Sequence, residues 1–350
     1  VYKRQHCDGR ESTVADRAGE KRLMSASSGL CATLGIEVPL ICGAMYPCSN
    51  PELVAAVSEA GGIGIVQPLS LSYVHGYEFR DGLRYIRSLT DKPIGVNLII
   101  ESSSKKYLER VHRWLDIALE EQVPFLVTAL GKPDWVVERA KPAGVTVYHD
   151  VTSRHWAEKA LDCGVDGFIC VNKRAGGHAG ELSPQLLLEE IGPLGKPLVC
   201  AGGIGTPDEF AAVLAMGYAG AQLGTRFIAT TECTAHPDYK QAIVAAGEED
   251  IVLSEKISGV PVSVIRTPYI ESVGTHAGAF AKWMLRGRRT KHWMRTFYSL
   301  QSIWKLKRAS LQGMEYKDIF QAGRSVSGIH GVMPAADVVA DFAQALRAGN

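Results

Sequence analysis

A histidine set among glycines is the first feature of this sequence that could do chemistry. In the run Asn172-Lys173-Arg174-Ala175-Gly176-Gly177-His178-Ala179-Gly180-Glu181, the glycines around His178 serve neither helix nor strand. A bare backbone there would let an imidazole lie close to a planar ligand. Imidazole titrates near neutral pH, which suits proton transfer or hydrogen bonding to a nitro, nitronate or carbonyl oxygen. The plainer reading is a solvated histidine on a flexible loop. Two glycine turns follow: Ala201-Gly202-Gly203-Ile204-Gly205 opens into Thr206-Pro207-Asp208-Glu209, a capping-box helix start, and Gln222-Leu223-Gly224-Thr225-Arg226-Phe227 adds a hydroxyl beside a second turn. Singly each is a tight turn. After consecutive late strands the pair reads as a phosphate site, with the helix amides after Gly203 free to meet the anion.

Other polar residues sit at the ends of apolar runs. Asn97, in Gly95-Val96-Asn97-Leu98, would reach either a ligand ring edge or only the neighbouring strand end. In Cys42-Gly43-Ala44-Met45, small residues would let Gly43 and Ala44 amides run along a ring against which Met45 packs; Met45 as core filler is the alternative. His149, Asp150 and Thr152 end a further run and are expected to face the same site. His236, His276, His292 and His330 lack ligand-type spacing, and no metal is expected.

These segments need elements to position them. From Pro39 to Thr230 a short apolar run, a turn and a helical pattern repeat. The runs are Leu40 to Met45, Ile63 to Gln67, Ile94 to Ile99, Phe125 to Leu130, Thr146 to Val151, Gly167 to Val171, Pro197 to Ala201 and Gly220 to Phe227. Near-continuous apolar strands alternating with helices indicate a parallel sheet covered on its outer face, and eight such units close it into a TIM (β/α)8 barrel. The fold class is therefore α/β, with an added, mostly helical lid. Asn50-Pro51 and Thr206-Pro207 read as helix starts; Gly61, Gly164 and Gly217 read as left-handed stops.

The expected organisation is an extension over 1–23, a barrel over 30–233, a helical lid over 234–325 and a C-terminal helix over 326–350 that returns to the barrel. The extension has no hydrophobic period, and Met24 reads as a start. The 350 residues are 46% hydrophobic and 21% charged with net charge +1, which gives no nucleic-acid footprint. Eight cysteines without a CxxC pair, three of them (Cys42, Cys170, Cys200) inside strand-like runs, suit reduced thiols in a cytoplasmic protein. No apolar run is long enough for a membrane span. From Ser272 to Met314 the chain carries nine Lys or Arg and no Asp or Glu, interleaved with Trp283, Trp293 and Trp304. That patch reads as lid or homodimer packing with solvated cations, or as a dock for an acidic carrier protein, CoA or an anionic membrane.

Taken jointly, Gly176-Gly177-His178-Ala179-Gly180, Ala201-Gly202-Gly203-Ile204 and Gln222-Leu223-Gly224-Thr225-Arg226-Phe227 resemble the nitronate monooxygenases, in order and spacing, from about Gly35 to Thr230. The resemblance implies non-covalent FMN, its phosphate on Gly203 and on Gln222 to Thr225, with Gly176 and Asn97 nearer the flavin and His178 as the active-site histidine. It implies oxidation of an alkyl nitronate with O2 to a carbonyl compound and nitrite, and, as in members that accept neutral nitroalkanes, of those too, with His178 as the base at the acidic carbon. Val171 replaces a glutamine common in bacterial members, Arg174 stands where an acid is common, and the His149-Asp150-Val151-Thr152 run departs from a lysine-containing version. Two rivals remain: an FMN- and NAD(P)H-dependent enoyl-[acyl-carrier-protein] reductase, and a noncatalytic barrel binding a phosphorylated ligand.

Overall fold

Eight short parallel strands close on themselves in the computed structural model of the chain, which describes residues 29–101, 104–255, 261–275 and 319–348. They are β1 (Leu40–Cys42), β2 (Ile63–Val66), β3 (Ile94–Ile100), β4 (Phe125–Leu130), β5 (Thr146–Val151), β6 (Gly167–Val171), β7 (Leu198–Ala201) and β8 (Gly220–Leu223). Each pairs with the next, and β8 returns to β1 through Leu40↔Ala221, Ile41↔Gln222 and Cys42↔Leu223, leaving no open edge. The expected α/β barrel is the fold. The 1–23 extension and most of the basic, Trp-containing segment lie outside the described residues.

The strands are apolar on both faces because both are covered. Outward residues such as Leu40, Val66, Val96, Leu126, Val147 and Phe168 join the layer beneath the helices. Inward residues Ile41, Ile63, Ile65, Phe125, Val127, Tyr148, Ile169 and Val199 form a second core inside the barrel, capped from below by Leu30, Leu34 and Ile36. Each fully buried Ile or Phe side chain contributes about 1.5–3 kcal/mol.

The outer ring comprises α1 (Pro51–Glu59), α2 (Phe79–Leu89), α3 (Lys105–Glu120), α4 (Asp134–Ala140), α5 (Arg154–Asp162), α6 (Pro184–Ile191) and α7 (Pro207–Met216). Helix α7 has the expected capping box and stops at Gly217 with φ of 118°. Asn50 precedes α1 as expected, yet its side chain does not cap it. Its Nδ2 donates to Glu52 Oε2 and to the Glu232 carbonyl, and its Oδ1 accepts from Thr234 N, so it ties the first loop to the chain after β8.

Strand boundaries differ mainly at the mouth. β1 stops at Cys42, and β8 stops at Leu223 because the chain turns at Gly224 into the short helix α8 (Thr225–Ile228). Phe227 and Ile228 are thus buried on a helix rather than a strand.

Past the barrel come α9 (Pro237–Ala245), β9 (Ile251–Ser254), β10 (Val262–Ile265) and α10 (Pro268–Val273). The described part of this segment is less helical than expected: β9 and β10 form an antiparallel pair, as their β-branched residues favour. Helix α11 (Ala335–Ala348) packs against α7 and α1, with Phe342 and Phe210 ring centroids 5.4 Å apart. It fills the place of an eighth outer helix. Among the described residues no helix is long and apolar enough to cross a membrane.

Candidate active site

Strand alternation decides which residues meet at the barrel mouth. Tyr148 belongs to the barrel interior while Val147 and Val151 belong to the outer layer. Two residues on from Tyr148, Asp150 therefore faces inward, at the carboxyl end of β5. The same phase on the other strands sends Gly43, Gln67, Asn97, Val171, Ala201 and Gln222 inward. His149 faces the other way. Its Nδ1 lies 2.8 Å from the Thr128 hydroxyl beneath the helices, which corrects the expectation that it lines the site. Burial holds its pKa down at about 4, so it is neutral.

Several mouth side chains are satisfied within the protein. Asn97 Nδ2 donates to the Val127 carbonyl at 3.2 Å, tying β3 to β4, and Gln67 Oε1 accepts from Ser70 N at 2.6 Å. Two atoms are not: Asp150 Oδ1 and Gln222 Oε1 are shut off from solvent and meet no hydrogen-bond partner. Leaving such a group unpaired costs about 1–3 kcal/mol, so two facing one mouth mark places where a ligand supplies the partner. Desolvation lifts the Asp150 pKa to about 7.

The His178 loop is built by local latches. Asn172, fully buried, donates from Nδ2 to the Gly202 carbonyl at 2.9 Å and accepts Arg174 N at 2.8 Å. Gly176 backs onto the 322–323 backbone, where a Cβ would lie 2.8 Å from Gly323 N. Gly177 has φ of 67°, and its carbonyl accepts Ser263 N of β10 at 2.8 Å. Gly180 N returns to the Asn172 carbonyl, and a Cβ on Gly180 would sit 2.4 Å from Val171 O and 3.4 Å from Thr152 Cβ. His178 is thus held between β10 and the ends of β5 and β6. His178 itself is exposed, and desolvation by the loop packed around it draws its pKa below the usual histidine value.

The glycine turns divide into two kinds. A Cβ on Gly202 would meet Ala175 Cα at 2.6 Å, and one on Gly203 would meet Arg174 Nε at 2.3 Å, so this turn is bare partly because the His178 loop lies on it. Gly224 has ordinary φ, and a Cβ there would touch only Met45 Sδ at 3.5 Å, so nothing in the chain itself requires a glycine. Thr225 Oγ1 accepts Gly323 N at 3.0 Å. Gly43 N donates to the Leu223 carbonyl, and its missing Cβ leaves room for the Gln222 side chain 2.9 Å away. Ala44 packs against the interior core and Met45 against the outer one.

The start of α7 is not the open anion site expected of it. Glu209 Oε2 accepts the Gly205 and Thr206 amides at 2.7 and 3.2 Å, which uses the donors that would have met a phosphate. The amides of Gly203 and Gly224 find no acceptor among the described residues, while Arg174, which lies over Gly203, is already paired with Glu209 and Glu248. The site therefore offers a glycine-lined cradle for an anion and a mouth with unpaired acceptors for a ring edge carrying N–H groups. FMN has both features, and the residues present fit it.

Sequence reasoning undervalued Asp150 and missed Asn172 and Arg174 as builders of the site. Alternation puts Asp150 on the same face as Tyr148, but only the packed barrel shows that this face is the inner one; Asn172 and Arg174 act through loops whose path is tertiary.

Comparison with known proteins accords with this geometry. One relative, (3aS,4S,5R,7aS)-5-hydroxy-7a-methyl-1-oxo-octahydro-1H-indene-4-carboxyl-CoA dehydrogenase of Rhodococcus jostii, is 32% identical over 252 residues, covering 72% of this chain and 69% of its own. A Staphylococcus aureus protein described as "Probable nitronate monooxygenase" is 26% identical, covering 75% of this chain and 84% of its own. FabK from Thermotoga maritima superposes with a TM-score of 0.75 at 29% identity, over 91% of this chain and 96% of that one. The family model described as nitronate monooxygenase matches residues 27–344, and the chain belongs to that family of oxidoreductases.

Proposed function

We propose that the protein is an FMN-dependent oxidoreductase that oxidises alkyl nitronates with O2 to a carbonyl compound and nitrite. The observation that carries this reading is the pair of buried, unpartnered oxygens on Asp150 and Gln222, facing one mouth beside the Gly224 turn. Gly203, Gly224 and Thr225 would hold the FMN phosphate, with Arg174 adding positive charge beside Gly203. Gly43, Ala44 and Met45 would border the ring, Gln222 and Asn97 would meet its edge, and Gly176, Gly177, Gly180 and Gly202 keep the covering loop thin. When bound, FMN supplies the two-electron redox chemistry. His178, neutral near pH 7 because its pKa is lowered, would donate a hydrogen bond to, or take a proton from, the substrate at the mouth.

Anaerobic mixing of the flavin-loaded enzyme with ethyl nitronate or with NAD(P)H tests the assignment. Nitronate alone is expected to bleach the flavin; bleaching by NAD(P)H alone would replace this reading with the enoyl-[acyl-carrier-protein] reductase one. A colourless protein that gains no thermal stability with FMN would leave the noncatalytic phosphate-binding barrel. His178→Ala should lower turnover by about a hundredfold with flavin retained, and loss of flavin instead would show the residue misplaced. A second reading, dehydrogenation of a carboxyl-CoA compound, is favoured by the name of the Rhodococcus jostii relative.

A further inference from the structure

The described cysteines do not all have the same surroundings. Cys42, Cys170 and Cys200 belong to strands, where burial pushes their thiols up and keeps them protonated. Cys48 and Cys233 belong to neither strand nor helix. Cys48 lies in the loop after β1 and Cys233 in the chain after β8, 185 positions apart in sequence. They nevertheless meet: Cys233 Sγ donates to the Cys48 carbonyl at 3.6 Å, and the two thiols share a hydrogen bond.

The surrounding chain holds this meeting in place. Asn50 bonds to the Glu232 carbonyl and to Thr234 N, on either side of Cys233, and Ser49 N closes the turn bearing Cys48 onto the Met45 carbonyl at 2.8 Å. Lys240, fixed by its bond to the Thr230 carbonyl at 2.7 Å, places a cation near both sulfurs. The Cys48 hydrogen bond, helped by Lys240, draws the Cys233 pKa below its ordinary value despite burial; the same thiol contact raises that of Cys48. One sulfur is thus readied to attack and the other to resolve. A metal does not explain the pair, since among the described residues no group of three His, Cys, Asp or Glu fits one.

We propose that Cys48 and Cys233 are a redox-active dithiol, oxidised reversibly by hydrogen peroxide to a disulfide that clasps the loop after β1 to the chain after β8. The Cys233 sulfur attacks one peroxide oxygen; the O–O bond breaks, the leaving hydroxide takes up the thiol proton as water, and a sulfenic acid forms. The Cys48 sulfur then attacks the Cys233 sulfur, the S–O bond breaks, a second water leaves with the Cys48 proton, and the S–S bond forms. Two thiols lose two electrons, and one peroxide becomes two waters. Burial of both sulfurs favours a reactant little larger than water over bulky disulfides. The clasp reinforces a seam where β1 already pairs with β8, whatever substrate the mouth takes.

The test treats the full chain, reduced and freed of thiol reductant, with hydrogen peroxide, then alkylates it in denaturant and digests it without reduction for mass spectrometry. The Cys48 and Cys233 peptides are expected as the main cross-link. The unfolding midpoint should rise by roughly 5 °C, and fall back with dithiothreitol, because the bond closes a ring containing most of the barrel. Peroxide that leaves both thiols open to alkylation, or oxidises Cys233 without linking it to Cys48, would overturn the proposal. Cys48→Ala removes the resolving sulfur, so dimedone should label Cys233 after peroxide and the midpoint should no longer rise. A midpoint that still rises in this variant would assign the stabilisation to other sulfurs. The cross-link is read on the wild-type chain and decides the matter even where the variant fails to fold.

Discussion

The lower and upper halves of the barrel are made by the same eight strands in opposite ways. Below, inward positions carry Ile41, Ile63, Phe125, Tyr148, Ile169 and Val199, sealed by Leu30 and Leu34. Above, the same phase brings Gly43, Asn97, Asp150 and Gln222, two of which keep buried oxygens without partners. The lower half maximises apolar contact and so stabilises the fold, while the upper half gives up stability to keep groups available. His149 and Asp150 condense this contrast into adjacent residues: one turned to the dry helix layer, the other to the mouth.

The largest way to break the contrast is in the lower half. Phe125→Ala, which removes a ring packed edge-on to Tyr148 with centroids 5.3 Å apart, should cost about 3–5 kcal/mol in denaturant unfolding. A change in flavin affinity exceeding the change in stability would show that the two halves are not separable.

The adjacent pair makes opposite pH slopes. His149 is neutral when folded, with a pKa of about 4 against an ordinary 6.5, so the unfolded chain binds more protons between those values and stability rises with pH there, by about 3 kcal/mol. Asp150, raised from 3.8 to about 7, binds its proton more tightly when folded, so its contribution is lost as pH rises across that window. Between pH 4 and 6.5 the two slopes nearly cancel in the wild type, so His149→Phe should unmask a stability that falls with rising pH and Asp150→Asn one that rises. Unfolding curves over pH 4 to 6.5 that stay flat in both variants would contradict these environments.

In the upper half the effects move from stability to binding. Gly224→Val should weaken FMN binding about a hundredfold while leaving apoprotein stability nearly unchanged, since a Cβ there meets only Met45; fluorescence titration and melting separate the two. Smallest is Gln222→Met, which should stabilise the apoprotein by about 1 kcal/mol by removing an unpaired buried oxygen, and weaken FMN binding. A loss of apoprotein stability would mean that Gln222 already has a structural role.

Much of this molecule was legible in local pattern. Apolar runs separated by capped helices predict a closed barrel, and the Thr206–Glu209 capping box forms as its residues require. The glycines around His178 pack against β10 and the ends of β5 and β6. Less legible were the segment after the barrel, where a β9–β10 pair stands within a region read as mostly helical with irregular stretches, and the end of β8, where Phe227 and Ile228 continue an apolar run as a helix. Apolar residues report burial, and burial is compatible with either element.

By itself the sequence determined the strand count, the helix ends and the clustering of glycines after the late strands, because these follow from propensities and hydrophobic periods within a few residues. Tertiary structure alone decided that Asp150 rather than His149 enters the mouth, that Glu209 consumes the amides at the start of α7, that Arg174 lies over Gly203, and that α11 closes the helix ring. The reason is that strand phase, amide occupancy and helix docking are set by partners tens to hundreds of residues away, and a one-residue change of phase would exchange every inward and outward side chain without altering the composition.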